Sequence, residues 1–99
     1  MIKRIVKMTF QPHAVQIFLN DVFAPTKDQI RAFPGCRHME LLRHLDQQNV
    51  LFTLSIWDSQ EALDIYRQSA LCQETWSKTN ALFAEKAEAW SVEVLDAPE

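Results

Sequence analysis

Along the chain, apolar residues recur first every second position, then at helical spacing, then alternately again, and the changes of period mark the elements. Ile2 to Phe10 puts Ile2, Arg4, Val6, Met8 and Phe10 on one side and Lys3, Ile5, Lys7 and Thr9 on the other, as in a first strand. From His13 the period lengthens, and Val15, Phe18, Leu19, Val22 and Phe23 form the single stripe of an amphipathic helix. Pro25 has no N–H to continue that ladder, while Thr26 and Gln29 have the spacing of a fresh cap. A kink, or a break and restart, is therefore expected near Ala24, with the continuation running through Ile30 and Phe33.

Phe33-Pro34-Gly35-Cys36 holds the chain's single glycine where a helix gives way to a strand. Gly35 is the residue that enters the left-handed conformation without steric penalty, so it should form the helix C-terminal turn. Arg37 to His44 then reads as a second strand, with Met39 and Leu41 on one face and His38, Glu40, Leu42 and His44 on the other. Asp46-Gln47-Gln48-Asn49 is a polar hairpin turn into a third strand, Val50 to Trp57. Only Thr53 and Ser55 interrupt that strand, the pattern of one covered on both faces.

Asp58 followed by Glu61 has capping-box logic, predicting a helix with Ala62, Leu63, Ile65 and Tyr66. Ser69-Ala70 bends it into a second piece bearing Leu71, Cys72, Thr75, Trp76, Thr79, Leu82 and Phe83. Ala87 to Asp96 gives a last strand, Trp90, Val92 and Val94 against Ser91, Glu93 and Leu95, and Ala97-Pro98-Glu99 is a stop. Residues 1–99 thus form one domain in the order strand, helix, strand, strand, helix, strand. That βαββαβ order, without glycine-rich phosphate loops, predicts a ferredoxin-like α+β fold: a four-stranded antiparallel sheet with its helices on one face. The third and last strands carry apolar residues toward both sides. Covering a bare sheet face stabilises by about 25 cal/mol per Å² of apolar area, so a homodimer joined through the sheet face is expected.

Composition narrows the partners. A formal net charge of −3, from 13 acidic and 10 basic residues spread along the chain, leaves no footprint for phosphate backbones, so nucleic acid is not an expected partner. Charges are embedded in MIKRIVKM, and no stretch approaches the roughly 20 apolar residues that span a bilayer; a cytoplasmic protein without membrane contact is expected. Cys36 and Cys72 lack CxxC spacing and read as small buried hydrophobes. His38, two residues from Cys36 on the same strand face, keeps a Cys–His pair open.

FPGC at Phe33 to Cys36, FTLSIWDSQEAL at Phe52 to Leu63, YRQS at Tyr66 to Ser69 and AWSVEVL at Ala89 to Leu95 together resemble the antibiotic biosynthesis monooxygenase domain family, the small dimeric α+β barrels, over nearly the full length. The resemblance implies that fold, and an activity among those of the family. These include oxygenation of phenolic or quinol-like polycyclic compounds without metal or flavin, haem degradation, and no known activity at all.

In cofactor-free oxygenation the substrate supplies the electrons once deprotonated, and the protein contributes a base, an apolar pocket and hydrogen bonds to the anion. His38 is the candidate base, because a histidine's reference pKa of ~6.5 suits proton abstraction near neutrality. Tyr66 is the second candidate catalytic residue, with Trp57, Trp76 and Phe83 shaping a pocket for a small apolar or aromatic molecule; the same aromatic stripe would also serve as plain core. No cofactor and no metal are called for. Haem degradation ranks lower: its pattern needs an asparagine on the first strand, absent from Ile2 to Phe10, and Tyr66 and Trp76 stand where it has a tryptophan and the haem-ligating histidine. Ser55 replaces an acidic residue frequent in the family, and Leu71-Cys72-Gln73 a segment that often holds a histidine. The expected function is a cofactor-independent monooxygenase for a small aromatic or quinol-type compound, the alternative a non-catalytic small-ligand-binding or structural dimer.

Overall fold

The computed structural model describes residues 1–98, so Glu99, the end of the expected stop, lies outside the described residues. The strands are β1 (Ile2–Thr9), β2 (Cys36–Arg43), β3 (Val50–Trp57) and β4 (Glu88–Glu93). The helices are α1 (Val15–Ile17), α2 (Ala24–Arg31), α3 (Gln60–Gln68) and α4 (Ala70–Asn80). The sheet is antiparallel throughout in the order β2-β3-β1-β4, the ferredoxin-like α+β arrangement, and within one chain it does not close into a barrel.

Pleating divides the sheet into two faces. Met8 stands opposite Leu51, Val6 opposite Thr53, Arg4 opposite Ser55 and Ile2 opposite Trp57, and Met39 flanks Ser55 from β2. This is the face under the helices. Its apolar end packs with α1 and the turn after it into a core of Met8, Phe10, Val15, Phe18, Val22 and Leu51. The other face carries Ile5, Leu42, Phe52, Leu54, Ile56, Trp90 and Val92, all half-buried or exposed in the single chain. The sequence pattern of β3 predicts cover on both faces, and one chain supplies it on the helix side.

Four local expectations are corrected. Pro25 neither breaks nor restarts the helix; the backbone widens into a π-helical turn, Phe18–Phe23, and passes directly into α2. The Thr26 hydroxyl is no cap but donates back to the Val22 carbonyl at 2.6 Å. The cap of α3 is Ser59, whose Oγ accepts the Ala62 N–H at 3.1 Å, while the Asp58 carboxylate is taken by Arg37. The last strand is shorter than Ala87 to Asp96, an exposed edge pairing only with β1. Gly35 sits at φ +88° as expected, and a Cβ there would lie 2.6 Å from that of Ala62. The glycine thus serves both the turn and the close approach of α3.

Candidate functional site

Between the sheet and the helices lies a cavity of about 330 Å³, bounded by β1, β2 and β3 below and by the π-turn, α2, α3 and α4 above. Trp57 and Tyr66 form an aromatic part of its wall, backed by Phe33. Trp57, 1% exposed, stacks on Tyr66 with ring centroids 4.8 Å apart, and Phe33 meets Tyr66 edge-on at 5.2 Å and Trp57 at 6.5 Å. A buried indole N–H needs an acceptor, and Trp57 Nε1 donates to Ser55 Oγ at 2.9 Å; residues two apart on a strand share a face. Ser55 is therefore the indole's partner, which accounts for a polar residue 8% exposed in the middle of β3.

Tyr66 is placed by the junction of α3 and α4. Ser69 adopts an extended backbone there, and its hydroxyl donates to the Tyr66 carbonyl at 2.6 Å while accepting the Cys72 N–H at 3.2 Å. One hydroxyl thus fixes the segments bearing Tyr66 and Cys72. Burial, and next the neighbouring Cys72 sulfur, hold the Tyr66 phenol far above the ordinary tyrosine range, so it remains a proton donor at neutral pH. Burial likewise pushes up the Cys72 thiol, against the opposing pull of Tyr66, Arg67 and Arg4.

Arg4 and Arg67 give the same end of the cavity its charge. Arg4, half-buried on β1, donates from Nη1 to Ser91 Oγ at 2.9 Å; Arg67, on α3, is exposed at the rim. Neither has a carboxylate within ion-pair distance among the described residues, and the lining contains no aspartate, glutamate or histidine. The remaining polar lining is neutral: Thr26, Thr53, Ser55, Tyr66, Gln73, Thr75 and Thr79, with the Cys72 thiol.

The structure brings Trp57, Tyr66 and Trp76 together around this cavity. Trp76, 42% exposed, forms an outer wall. Phe83 lies behind that wall, meeting Trp76 edge-on at 5.7 Å and Phe10 at 5.3 Å; it supports the lining without joining it. His38 is a correction. It stands opposite Ile56 on the far face of the sheet, half-exposed, with Nε2 3.3 Å from Glu40 Oε1. It cannot reach the cavity through the sheet. The Cys–His pair fails for a related reason: a β-bulge between Cys36 and His38 sets Cys36 opposite Trp57 and His38 opposite Ile56, neighbours that point to opposite faces.

Arg4 is a charged lining residue that sequence reasoning did not place at the site, and Arg67 one that it read as a surface charge with only a small share in orienting a substrate. Arg4 carried a signal, a charge inside the apolar row Ile2, Val6, Met8, Phe10; no periodicity marks Arg67. Among the described residues no three His, Cys, Asp or Glu side chains converge as metal ligands would.

A four-stranded antiparallel sheet with a polar-rimmed aromatic cavity beneath its helices defines a small ferredoxin-like α+β protein with a ligand-sized site. The family profile described as Antibiotic biosynthesis monooxygenase matches residues 1–77, and the chain belongs to that family. In solved structures the same fold recurs in Rv0793 from Mycobacterium tuberculosis, 21% identical, with a TM-score of 0.88 over 99% of this chain and 98% of that one. An antibiotic biosynthesis monooxygenase is 18% identical, with a TM-score of 0.88 over 97% of this chain and 100% of its own. A mutant of SnoaB, a cofactor-independent oxygenase from Streptomyces nogalater, is 19% identical, with a TM-score of 0.84 over 99% and 97%. No curated protein matches the chain in sequence. Among the described residues no helix is long and apolar enough to cross a membrane.

Proposed function

We propose that the chain is a cofactor-independent monooxygenase for a small aromatic, quinol- or anthrone-type compound bound in the cavity between sheet and helices. The observation that carries this reading is the cavity itself: about 330 Å³, lined by aromatic rings, with Arg4 and Arg67 as its charged groups and its other polar groups neutral, Tyr66 held protonated among them. The kinship with a cofactor-independent oxygenase supports it.

With no histidine or carboxylate in the lining, the substrate must be acidic enough to ionise by itself in a site that favours its anion. Tyr66 then donates a hydrogen bond to the anionic oxygen. The substrate anion passes electrons to O₂. In an anthrone-type substrate, oxidation of the ring methylene to a carbonyl releases four electrons; O₂ takes them, one oxygen atom entering the product and the other leaving as water with both methylene protons.

The open sheet face favours a homodimer. Ile5, Phe52, Leu54, Ile56 and Trp90 make a contiguous apolar surface with Lys3, Lys7, His38 and Glu88 around it, the composition of an interface core with a polar rim. A cytoplasmic setting goes with the two free thiols.

The test is oxygen uptake by the purified protein across a panel of anthrones and hydroquinones. Uptake with at least one of them, lowered about tenfold or more in Tyr66→Phe, is expected from the loss of a donor to the anion. Binding of the panel without uptake would replace this reading by that of a non-catalytic ligand-binding dimer.

A further inference from the structure

The cavity has two unlike ends. On β1, Arg4 and Met8 are four residues apart, about 13 Å along the strand. Met8 packs with Phe18, Val22 and Val6 in the apolar core, whereas Arg4 has Arg67 and Cys72 close enough to act on its charge, with Tyr66 beside Cys72. Two guanidinium groups thus share one end of a largely apolar space with no carboxylate to pair them among the described residues. The hydrogen bond from Arg4 to Ser91 holds one of them in place.

We propose that Arg4 and Arg67 form a seat for an anionic oxygen on the ligand, so that the cavity selects aromatic acids, bound as anions with the ring system lying toward Met8. This rests on the cavity being the binding site proposed above and names the class of compound it takes. The arrangement is otherwise costly. Burial and the repulsion of Arg67 both make the cationic form of Arg4 harder to hold, and an anion between the two relieves both effects. A planar guanidinium on each side suits an oxygen anion, and Tyr66, protonated, supplies a third donor. The anionic oxygen can belong to a fixed carboxylate or to a ring hydroxyl that ionises on binding; the recognition chemistry is the same.

Quenching of tryptophan fluorescence, with Trp57 and Trp76 in the lining, reads binding directly. Three probes are titrated under nitrogen, so that no turnover intervenes: anthraquinone carboxylate, its neutral carboxamide, and alizarin, whose phenolate is seen by its visible spectrum. The carboxylate should bind at least about tenfold more tightly than the carboxamide. That ratio should fall below about threefold in Arg67→Gln and in Arg4→Gln, with carboxamide affinity kept within about twofold. Arg67→Gln changes an exposed helix position, so the test survives if Arg4→Gln fails to fold. Alizarin bound as its phenolate below the pH at which it ionises free in solution identifies a ring hydroxyl as an accepted source of the anion.

Equal affinities for carboxylate and carboxamide without bound phenolate, or a preference unchanged in Arg67→Gln and any folded Arg4→Gln, would overturn the proposal. The outcomes separate it from the oxygenase reading. Anion preference without oxygen uptake leaves the seat standing and removes the chemistry; oxygen uptake with no anion preference does the reverse.

Discussion

Replacing Ser55 by alanine removes one hydroxyl and leaves the Trp57 indole N–H, now 2.9 Å from Ser55 Oγ, without its partner in a ring that is 1% exposed. Leaving a buried donor unpaired costs about 1–3 kcal/mol, whereas a solvated serine could be lost for a few tenths. Each kcal/mol should move Tm by roughly 4–8 °C in a chain of this length. The effect is specific to the pair, so in a Trp57→Phe background Ser55→Ala should cost little, giving a coupling energy of about 1–2 kcal/mol. Ser55→Asp, which restores an acceptor, should recover most of the loss.

The assay is urea unfolding followed by far-ultraviolet circular dichroism, at fixed protein concentration because any dimer links stability to concentration. Fluorescence is unsuitable, since Trp57 is itself altered in half of the cycle. A Ser55→Ala loss below about 0.3 kcal/mol, or equal losses in the Ser55 cycle with and without the indole, would refute the assignment of Ser55 as the indole's acceptor.

Gly35→Ala should destabilise by roughly 2–5 kcal/mol, combining the left-handed φ of +88° with the clash against Ala62, measured by the same unfolding assay. Ser69→Ala should cost about 1 kcal/mol as a lost cap and weaken probe binding as well, because the same hydroxyl holds the Tyr66 and Cys72 segments. Tyr66 is the only tyrosine, so its ionisation can be followed by ultraviolet absorbance. Its folded pKa lies above the unfolded value of 10.0, so the native state holds the proton more tightly; the contribution is complete below pH 10 and is lost as pH rises toward the folded value, with a slope of up to about 1.4 kcal/mol per pH unit. Tyr66→Phe should remove that part of the alkaline loss, and a wild-type tyrosine that ionises near pH 10 would contradict it. In the homodimer proposed above, Leu54→Glu, a charge on the open sheet face, should shift sedimentation from dimer to monomer while leaving the helix-side cavity formed.

The two-residue period made the four strands and their faces legible, and the helical stripe of Val15, Phe18 and Val22 located the main core. What failed were features decided by competition between neighbours. Ser59 and Asp58 both suit a cap, and Arg37, from another strand, engages Asp58 and leaves Ser59 the role. Pro25 reads as a helix breaker, but a π-turn accommodates it without interrupting the run into α2. The alternation that placed His38 and Cys36 on one face was undone by a single bulged residue, which no periodicity reveals. The cavity's charged end was legible only as the anomaly of Arg4 in an apolar row, because its partner Arg67 comes from a helix more than sixty residues away in sequence.

Ser55 stands where the family resemblance leads one to expect an acid, Tyr66 and Trp76 where its haem-degrading branch leads one to expect a tryptophan and a histidine, and all three line one cavity. Their effect is therefore joint. Ser55 still accepts the Trp57 N–H but brings no negative charge opposite Arg4. Tyr66 adds a hydroxyl donor that burial keeps protonated, and Trp76 contributes an apolar wall in place of a titratable ring. The changes at Ser55 and Trp76 leave no group there that takes a proton near neutrality, and Tyr66 places a hydroxyl donor in the lining. Ser55→Asp thus carries a second consequence: it should preserve the fold through the indole while pairing Arg4, and so abolish the preference for carboxylate over carboxamide. A variant that is as stable as the wild type and still prefers the carboxylate would mean that Arg4 does not face the ligand.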